Sequence, residues 1–272
     1  MKNLGQLIVF SAALGISVFG LAAPGNAEDC TEHIGWLPYG GARAVAVFGD
    51  FAIFGRGTDL VVADVSNPTS PQQIGAVELS LSRGDRVMGI AVSGDHAYVA
   101  ANESGLRVID ISTPASPIEI GFFEIPSSGP NPGLAYGVAV SGSYVYVAAL
   151  DEGLRVIDIS TPASPFQVGS FEVPAGSLYP KGAAFGVTLS HGYAYVAALD
   201  QGVRVVDVST PGNPIEVGFA ALRDDAVSSA VSGDVIYAAG FESGLEIVSP
   251  MSCPGYVPAP PIPRRVSGRR TP

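Results

Sequence analysis

Gly105-Leu-Arg-Val-Ile-Asp-Ile-Ser-Thr-Pro-Ala-Ser-Pro117 recurs word for word as Gly153–Pro165. A close variant spans 202–214 and a looser one spans 59–71. The copies recur at intervals of under fifty residues. A tandem repeat of this kind decides the architecture, because each unit must bury its apolar face against the next. Residues that stand identically in every unit therefore read first as scaffold.

Working outward from the quoted stretch, each unit reads as four strands. In the second unit Met88–Ser93 is a short apolar strand ending at the turn Gly94-Asp95. His96–Ala100 and Leu106–Ile111 follow, and Ile118–Ile125 lies between Pro117 and Pro126. β-branched and aromatic residues between Gly, Pro, Asp and Ser punctuation are the signature of strands and turns. No convincing amphipathic helix is present after residue 27. The first strands carry small residues, as in Gly89-Ile-Ala-Val92 and Gly137-Val-Ala-Val140, which suits strands converging on a crowded axis. Tyr98, Tyr146, Tyr195 and Tyr237, with Ile53 in the first unit, occupy one aligned position and read as packing between units. Four-stranded units of this length are the blades of a β-propeller.

The third strand and its turn resemble the LVIVD repeat, found in bacterial and archaeal exported or surface proteins. The resemblance covers about Thr31 to Cys253 and is closest in the three central units. It implies a secreted or surface propeller and assigns no particular biochemical activity.

Five first, five second and five third strands can be counted, but only four fourth strands follow them. The fourth strand of the last unit has a counterpart at the other end of the chain. Glu32-His-Ile-Gly-Trp-Leu37 is similar to Ile118-Glu-Ile-Gly-Phe-Phe123. The expected fold is thus all-β, a five-bladed propeller of four-stranded antiparallel blades, its ring closed by the N-terminal strand. The two cysteines bear on this. Alignment places Cys30 at the position of Ser116 and Cys253 at that of Pro114. These positions are two residues apart in an intact turn, within reach of a disulfide. A Cys30–Cys253 bond would restore the link that ring closure severs; free thiols or an intermolecular bridge are the alternatives.

Asp64, Asp110, Asp158 and Asp207 each precede a Ser and then a Pro two residues further on. An Asp there can accept following backbone amides and hold the turn. Ser249 stands at this position in the last unit, where the turn is severed, which favours a turn role over catalysis. Arg107, Arg155 and Arg204 recur in the central units and are expected to pair with neighbouring acids, as part of a buried Asp–Arg network.

Residues 1–27 read as an export signal, with Lys2, an apolar stretch over Leu7–Ala23 and the small residues Gly25-Asn-Ala27 before the expected cleavage point. The stretch is short for a membrane anchor. Residues 28–253 form the expected propeller, and 254–272 a Pro/Arg-rich disordered tail. The protein is expected to be secreted, periplasmic or on the cell surface, where disulfides persist. Apart from residue 2 and the four tail arginines, nine basic residues face twenty-five acidic ones, a net of −16. Such a surface excludes nucleic acid as a partner and repels anionic lipid.

No catalytic set emerges. The first strands offer no carboxylate, His or Lys, and His33, His96 and His191 match no zinc spacing. In an up-and-down blade, the loops between second and third strands share one side with the loops between blades. That side is expected to carry an acidic rim of Asp59, Glu103, Asp151, Glu152, Asp200 and Glu242, with Tyr136 and Tyr179 beside it. It also carries the longest loops, 80–86, 126–134, 174–182 and 223–226. Binding residues concentrate on loops held by a rigid scaffold. The leading expectation is a monomeric, non-catalytic module recognising an extracytoplasmic protein or glycan through this face. A hydrolase or lyase using the rim, and a purely structural envelope protein, are the alternatives. No cofactor is expected. A carboxylate rim suits calcium, although no Asp-x-Asp-x-Asp-Gly loop is present.

Overall fold

The computed structural model describes residues 37, 41–129, 133–177, 181–233 and 235–249. Every regular element among them is a strand. Residues 1–27, expected to be an export signal, together with Cys30, Cys253, Tyr179 and residues 254–272, lie outside the described residues.

The strands form five antiparallel sheets in chain order. The first is β1 (Val45–Phe48), β2 (Phe51–Arg56), β3 (Asp59–Asp64) and β4 (Gln72–Glu78). The second is β5 (Gly89–Ser93), β6 (His96–Ala100), β7 (Leu106–Asp110) and β8 (Ile118–Phe123). The third is β9 (Gly137–Ser141), β10 (Tyr144–Ala148), β11 (Leu154–Asp158) and β12 (Phe166–Phe171). The fourth is β13 (Gly186–Ser190), β14 (Tyr193–Ala197), β15 (Val203–Asp207) and β16 (Ile215–Ala220). The fifth has three strands among the described residues, β17 (Ala226–Ser232), β18 (Val235–Gly240) and β19 (Gly244–Val248). Each sheet is an up-and-down meander, and successive sheets pack through their first strands, β1 on β5, β5 on β9, β9 on β13 and β13 on β17. This is a propeller-like arrangement of five blades.

Alternation along each strand sends one set of side chains forward to the next blade and the other back to the previous one. Ile53, Leu60 and Val62 of the first blade meet Ile90, Ala97, Val99 and Ile109 of the second. Tyr98, Leu106 and Val108 repeat this against the third blade, and Tyr146, Leu154 and Val156 against the fourth. Of the aligned tyrosines, Tyr98, Tyr146 and Tyr195 are buried between blades, and Tyr237 is half-buried.

Each outer strand of the first four blades carries a one-residue irregularity opposite its third strand, between Val62/Ala63, Val108/Ile109, Val156/Ile157 and Val205/Val206. Bulges of this kind twist an exposed edge away from further strand pairing. Glycine beside the bulge has a steric purpose. A Cβ on Gly75 would strike the Pro114 carbonyl, one on Gly121 that of Pro162, and one on Gly169 that of Pro211. The Ser-Thr-Pro turns of the second, third and fourth blades thus seat on the bare backbone of the blade before.

The outer faces of the fifth and first blades are more exposed than the faces between successive blades. Leu245 and Ile247 are 64% and 62% exposed, whereas Leu106, Leu154, Val108 and Val156 at the same repeat positions are fully buried. In the first blade Val47 is 67% exposed. Leu37 lies outside the strands.

Candidate functional site

The chain enters each blade on one side, which also carries the turns between second and third strands; we term it the loop face. The opposite turn face carries the first-to-second and third-to-fourth turns. Its chemistry is monotonous. The amides of Ser66, Ser112, Ser160 and Ser209 donate to Oδ1 of Asp64, Asp110, Asp158 and Asp207 at 2.8–2.9 Å. The Ser66, Ser112 and Ser160 hydrogen bonds hold the Asp64, Asp110 and Asp158 carboxyls below their ordinary value.

The arginines do not join these aspartates, which corrects the expected Asp–Arg network. Arg107 pairs with Glu119 at 3.2 Å and Arg204 with Glu216 at 3.0 Å. Arg155 pairs instead with Glu152 at 2.8 Å. The reason lies in strand direction: the aspartates end the third strands on the turn face, while the arginines begin them near the loop face. Phe122 and Phe219 cover the Arg107 and Arg204 guanidiniums at 5.0 and 4.9 Å. Such contacts give these exposed aromatics a structural use.

On the loop face a short device repeats. Asn102, Leu150 and Leu199 adopt left-handed backbone conformations and bridge to Ala135, Ala184 and Ala226 respectively. Each bridge ties the turn of one blade to the chain entering the next. A left-handed leucine is disfavoured by its Cβ, so these two turns are over-determined by their surroundings. The residue that follows points an acid outward: Glu103 and Asp151 are exposed, and Asp200 is half-buried. Glu242 follows Phe241 at the same position of the fifth blade, and both are exposed.

The expected rim is therefore brought together only in part. Glu103, Asp151 and Glu242 form its exposed members. Asp59 is paired with Arg56 at 2.7 Å. The Ser177 hydroxyl donates to Asp200 at 3.3 Å. Glu152 is 5% exposed and belongs to the scaffold. Its Oε1 accepts the Ser128 amide and hydroxyl at 2.8 and 2.9 Å, and its Oε2 faces Arg155. Burial raises the Glu152 carboxyl, but the Ser128 hydrogen bonds and Arg155 outweigh it and hold it below its ordinary value. Tyr136 is half-buried and packs on Phe185, ring centres 4.8 Å apart.

Two loop-face clusters had no signal in the repeat, because they sit in the divergent loops. Buried Asp85 accepts the Ser104 amide at 2.8 Å and its hydroxyl at 2.5 Å. Asp224 accepts the amides of Glu242 and Ser243. Those amides, with that of Asp225, hold the Asp224 carboxyl low. Burial, then Asp224 and Asp200, push its neighbour Asp225 up. Among the described residues no three His, Cys, Asp or Glu side chains are grouped to hold a metal ion. No helix among them is long and apolar enough to cross a membrane.

Comparison with known proteins follows the same lines. The family model described as the LVIVD repeat matches residues 39–78, 84–124, 132–173 and 181–220. No curated protein matches the chain. Among solved structures, the chain is similar to BamB from Moraxella catarrhalis, with a TM-score of 0.56 and 18% identity. That match covers 79% of this chain and 62% of BamB. It is also similar to the computationally designed Ika8 protein, with a TM-score of 0.58 and 14% identity over 76% of this chain and 58% of that one. A chain of the mitotic checkpoint complex gives a TM-score of 0.56 at 13% identity, over 75% of this chain and 60% of its own. The chain spans about three-fifths of the length of these structures. At such identities the likeness concerns fold alone.

Proposed function

The chain belongs to the LVIVD-repeat family, and on that premise we propose that it is an exported, non-catalytic binding module. It recognises a protein or glycan through its loop face. One observation carries this reading. The same turn position presents exposed Glu103, Asp151 and Glu242 in three blades, whereas the opposite face repeats one Asp-capped turn. The divergent loops and the Tyr136–Phe185 pair lie on the acidic side. Aromatic faces beside hydrogen-bonding carboxylates suit amphipathic ligands, peptide or sugar. The test is binding by the native chain against a Glu103→Gln, Asp151→Asn, Glu242→Gln variant with an unchanged Tm.

We further infer that the ring closes on itself. Residues 32–37 complete the fifth blade, the first and fifth blades meet, and Cys30–Cys253 pins the join outside the cytoplasm. Two features support this. The seam faces are apolar at positions that pack together elsewhere, Leu245 and Ile247 on one side and Val47 on the other. Burying each such side chain is worth about 1.5–3 kcal/mol. Gly35 stands in the N-terminal segment where Gly75, Gly121 and Gly169 receive the next blade's turn.

A second reading, hydrolysis or elimination, draws on Asp224 and Asp225. Their carboxyls are pushed in opposite directions, the pattern that separates a base from an acid. Turnover of a glycan substrate that Asp225→Asn abolishes would favour it.

A further inference from the structure

The protein holds two of its own arginines with a carboxylate and an aromatic ring together. Arg107 lies 3.2 Å from Glu119, with its guanidinium 5.0 Å from the Phe122 ring centre. Arg204 lies 3.0 Å from Glu216 and 4.9 Å from the Phe219 ring centre. The combination suits arginine, because the flat guanidinium stacks on a ring face while its N–H groups reach a carboxylate. The loop face carries the same two groups as neighbours. No salt bridge among the described residues reaches Glu103 or Asp151 there.

The loop-face bridges create this neighbourhood. Asn102 bridges to Ala135 and Leu150 to Ala184. Glu103 and Asp151 follow the first residue of each bridge, and Tyr136 and Phe185 follow the second. Each bridge thus carries an exposed acid on one strand and an aromatic on the other. Tyr136 and Phe185 head the first strands of the third and fourth blades, where their amides donate to Ala148 and Ala197. Bare glycines let these heads converge. A Cβ on Gly89 would crowd the Tyr136 carbonyl, and one on Gly137 the Phe185 carbonyl. The two rings then meet with centres 4.8 Å apart, and Phe185 and Leu150 pack on one small cluster of Ala183, Leu199 and Val227. Packing between blades does not require aromatics at this place, since Arg43, Met88 and Val227 hold it in the other blades. Tyr136 and Phe185 also stay half-buried, whereas the interblade Tyr98, Tyr146 and Tyr195 are at most 3% exposed.

We propose that this patch takes an arginine from a partner polypeptide, its guanidinium laid on the Tyr136–Phe185 rings and paired with Glu103 or Asp151. This rests on the loop-face reading and names its ligand, an arginine-bearing peptide segment rather than a neutral glycan. The chain's net charge of −11 draws a basic segment from a distance and does nothing for an uncharged sugar. A lysine would feel the same field but presents a point charge, without a flat face to stack. Lys181, in the loop that leads to Phe185, donates to the Ser128 hydroxyl at 3.1 Å. Arg83, Arg86 and Arg223 stand at other blade junctions.

The test titrates the full-length chain with two fluorescent peptides, one with arginines spaced by Gly and Ser, the other identical but with lysines. Anisotropy reads the affinities, and a neutral chito-oligosaccharide is titrated in parallel. The arginine peptide is expected to bind about threefold tighter than the lysine peptide, or better. Tyr136→Leu with Phe185→Leu keeps apolar bulk and should abolish that preference. Glu103→Gln with Asp151→Asn should weaken the arginine peptide about tenfold. Asp50→Asn with Asp95→Asn on the turn face should change neither. Should the leucine variant melt early, Asp151→Lys at its exposed position is expected to give the same loss as the acid variant. Equal affinity for the two peptides, a preference that survives the leucine exchange, or no peptide binding overturns the proposal. Sugar binding that the acid variant loses, with no peptide bound, would leave the loop-face reading standing. Binding of every probe unchanged in the acid variant would overturn both.

Discussion

Glu152 lies 2.8 Å from Arg155 and gives the third blade the carboxylate that the second and fourth blades take from Glu119 and Glu216. The sequence records the exchange: Gln167 stands where those glutamates stand, and the acid has moved to the turn before the third strand. A residue that looks like a rim acid is thereby a tie between Arg155 and the loop at Ser128.

Breaking that tie should destabilise the protein. Glu152→Ala leaves the Arg155 guanidinium buried without its partner, at a cost of about 3 kcal/mol. Urea denaturation followed by circular dichroism checks this. The pH dependence has a definite sign. The folded Glu152 carboxyl titrates below its ordinary value of 4.5, so its contribution is present above that value. It is lost as pH falls through the lower folded pKa. The stability difference between native and Glu152→Gln chains should shrink on acidification.

Gly121 and Gly212 should respond oppositely to the same change. A Cβ on Gly121 runs into the Pro162 carbonyl, a backbone atom that cannot step aside. Gly121→Ala should therefore cost about 1–3 kcal/mol, as overpacking does. A Cβ on Gly212 meets only an ordinary contact, 3.6 Å from the Val168 carbonyl, and its backbone is not left-handed. Ala115 and Ala163 occupy that position in the preceding blades. Gly212→Ala should be neutral or stabilise by about 0.4–1 kcal/mol. Thermal melts of the two variants decide the matter.

Ring closure predicts one intramolecular disulfide. Peptide mapping of the non-reduced protein should return Cys30 joined to Cys253. The loop it closes is more than two hundred residues long, for which the chain-entropy ceiling is about 5 kcal/mol. Reduction should lower the Tm without changing the far-ultraviolet spectrum at low temperature.

How much of this is legible in the sequence depends on whether the determining contacts are periodic. The strands of the central blades appear in the repeat itself, because alternation and turn residues recur with it. The interblade packing of Tyr98, Tyr146 and Tyr195 is legible for the same reason. Contacts across blades are not. Glu152 meets Ser128 from 24 residues away, and Asp85 meets Ser104 through a loop that has no counterpart in other blades. The left-handed positions of Leu150 and Leu199 are not marked by Gly or Asn, because tertiary bridges to Ala184 and Ala226 hold them. Glycines beside the bulges look like ordinary strand breakers until the next blade's turn is placed against them.

The loop-face reading is tested most directly by comparing three full-length chains as baits in an envelope extract, with captured proteins and glycans quantified. One is native, one carries Glu103→Gln, Asp151→Asn and Glu242→Gln, and one carries Asp50→Asn and Asp95→Asn, exposed on the turn face. The account predicts a ligand held by the native and turn-face chains and lost by the loop-face variant. A ligand that all three retain, or that only the turn-face variant loses, would contradict it.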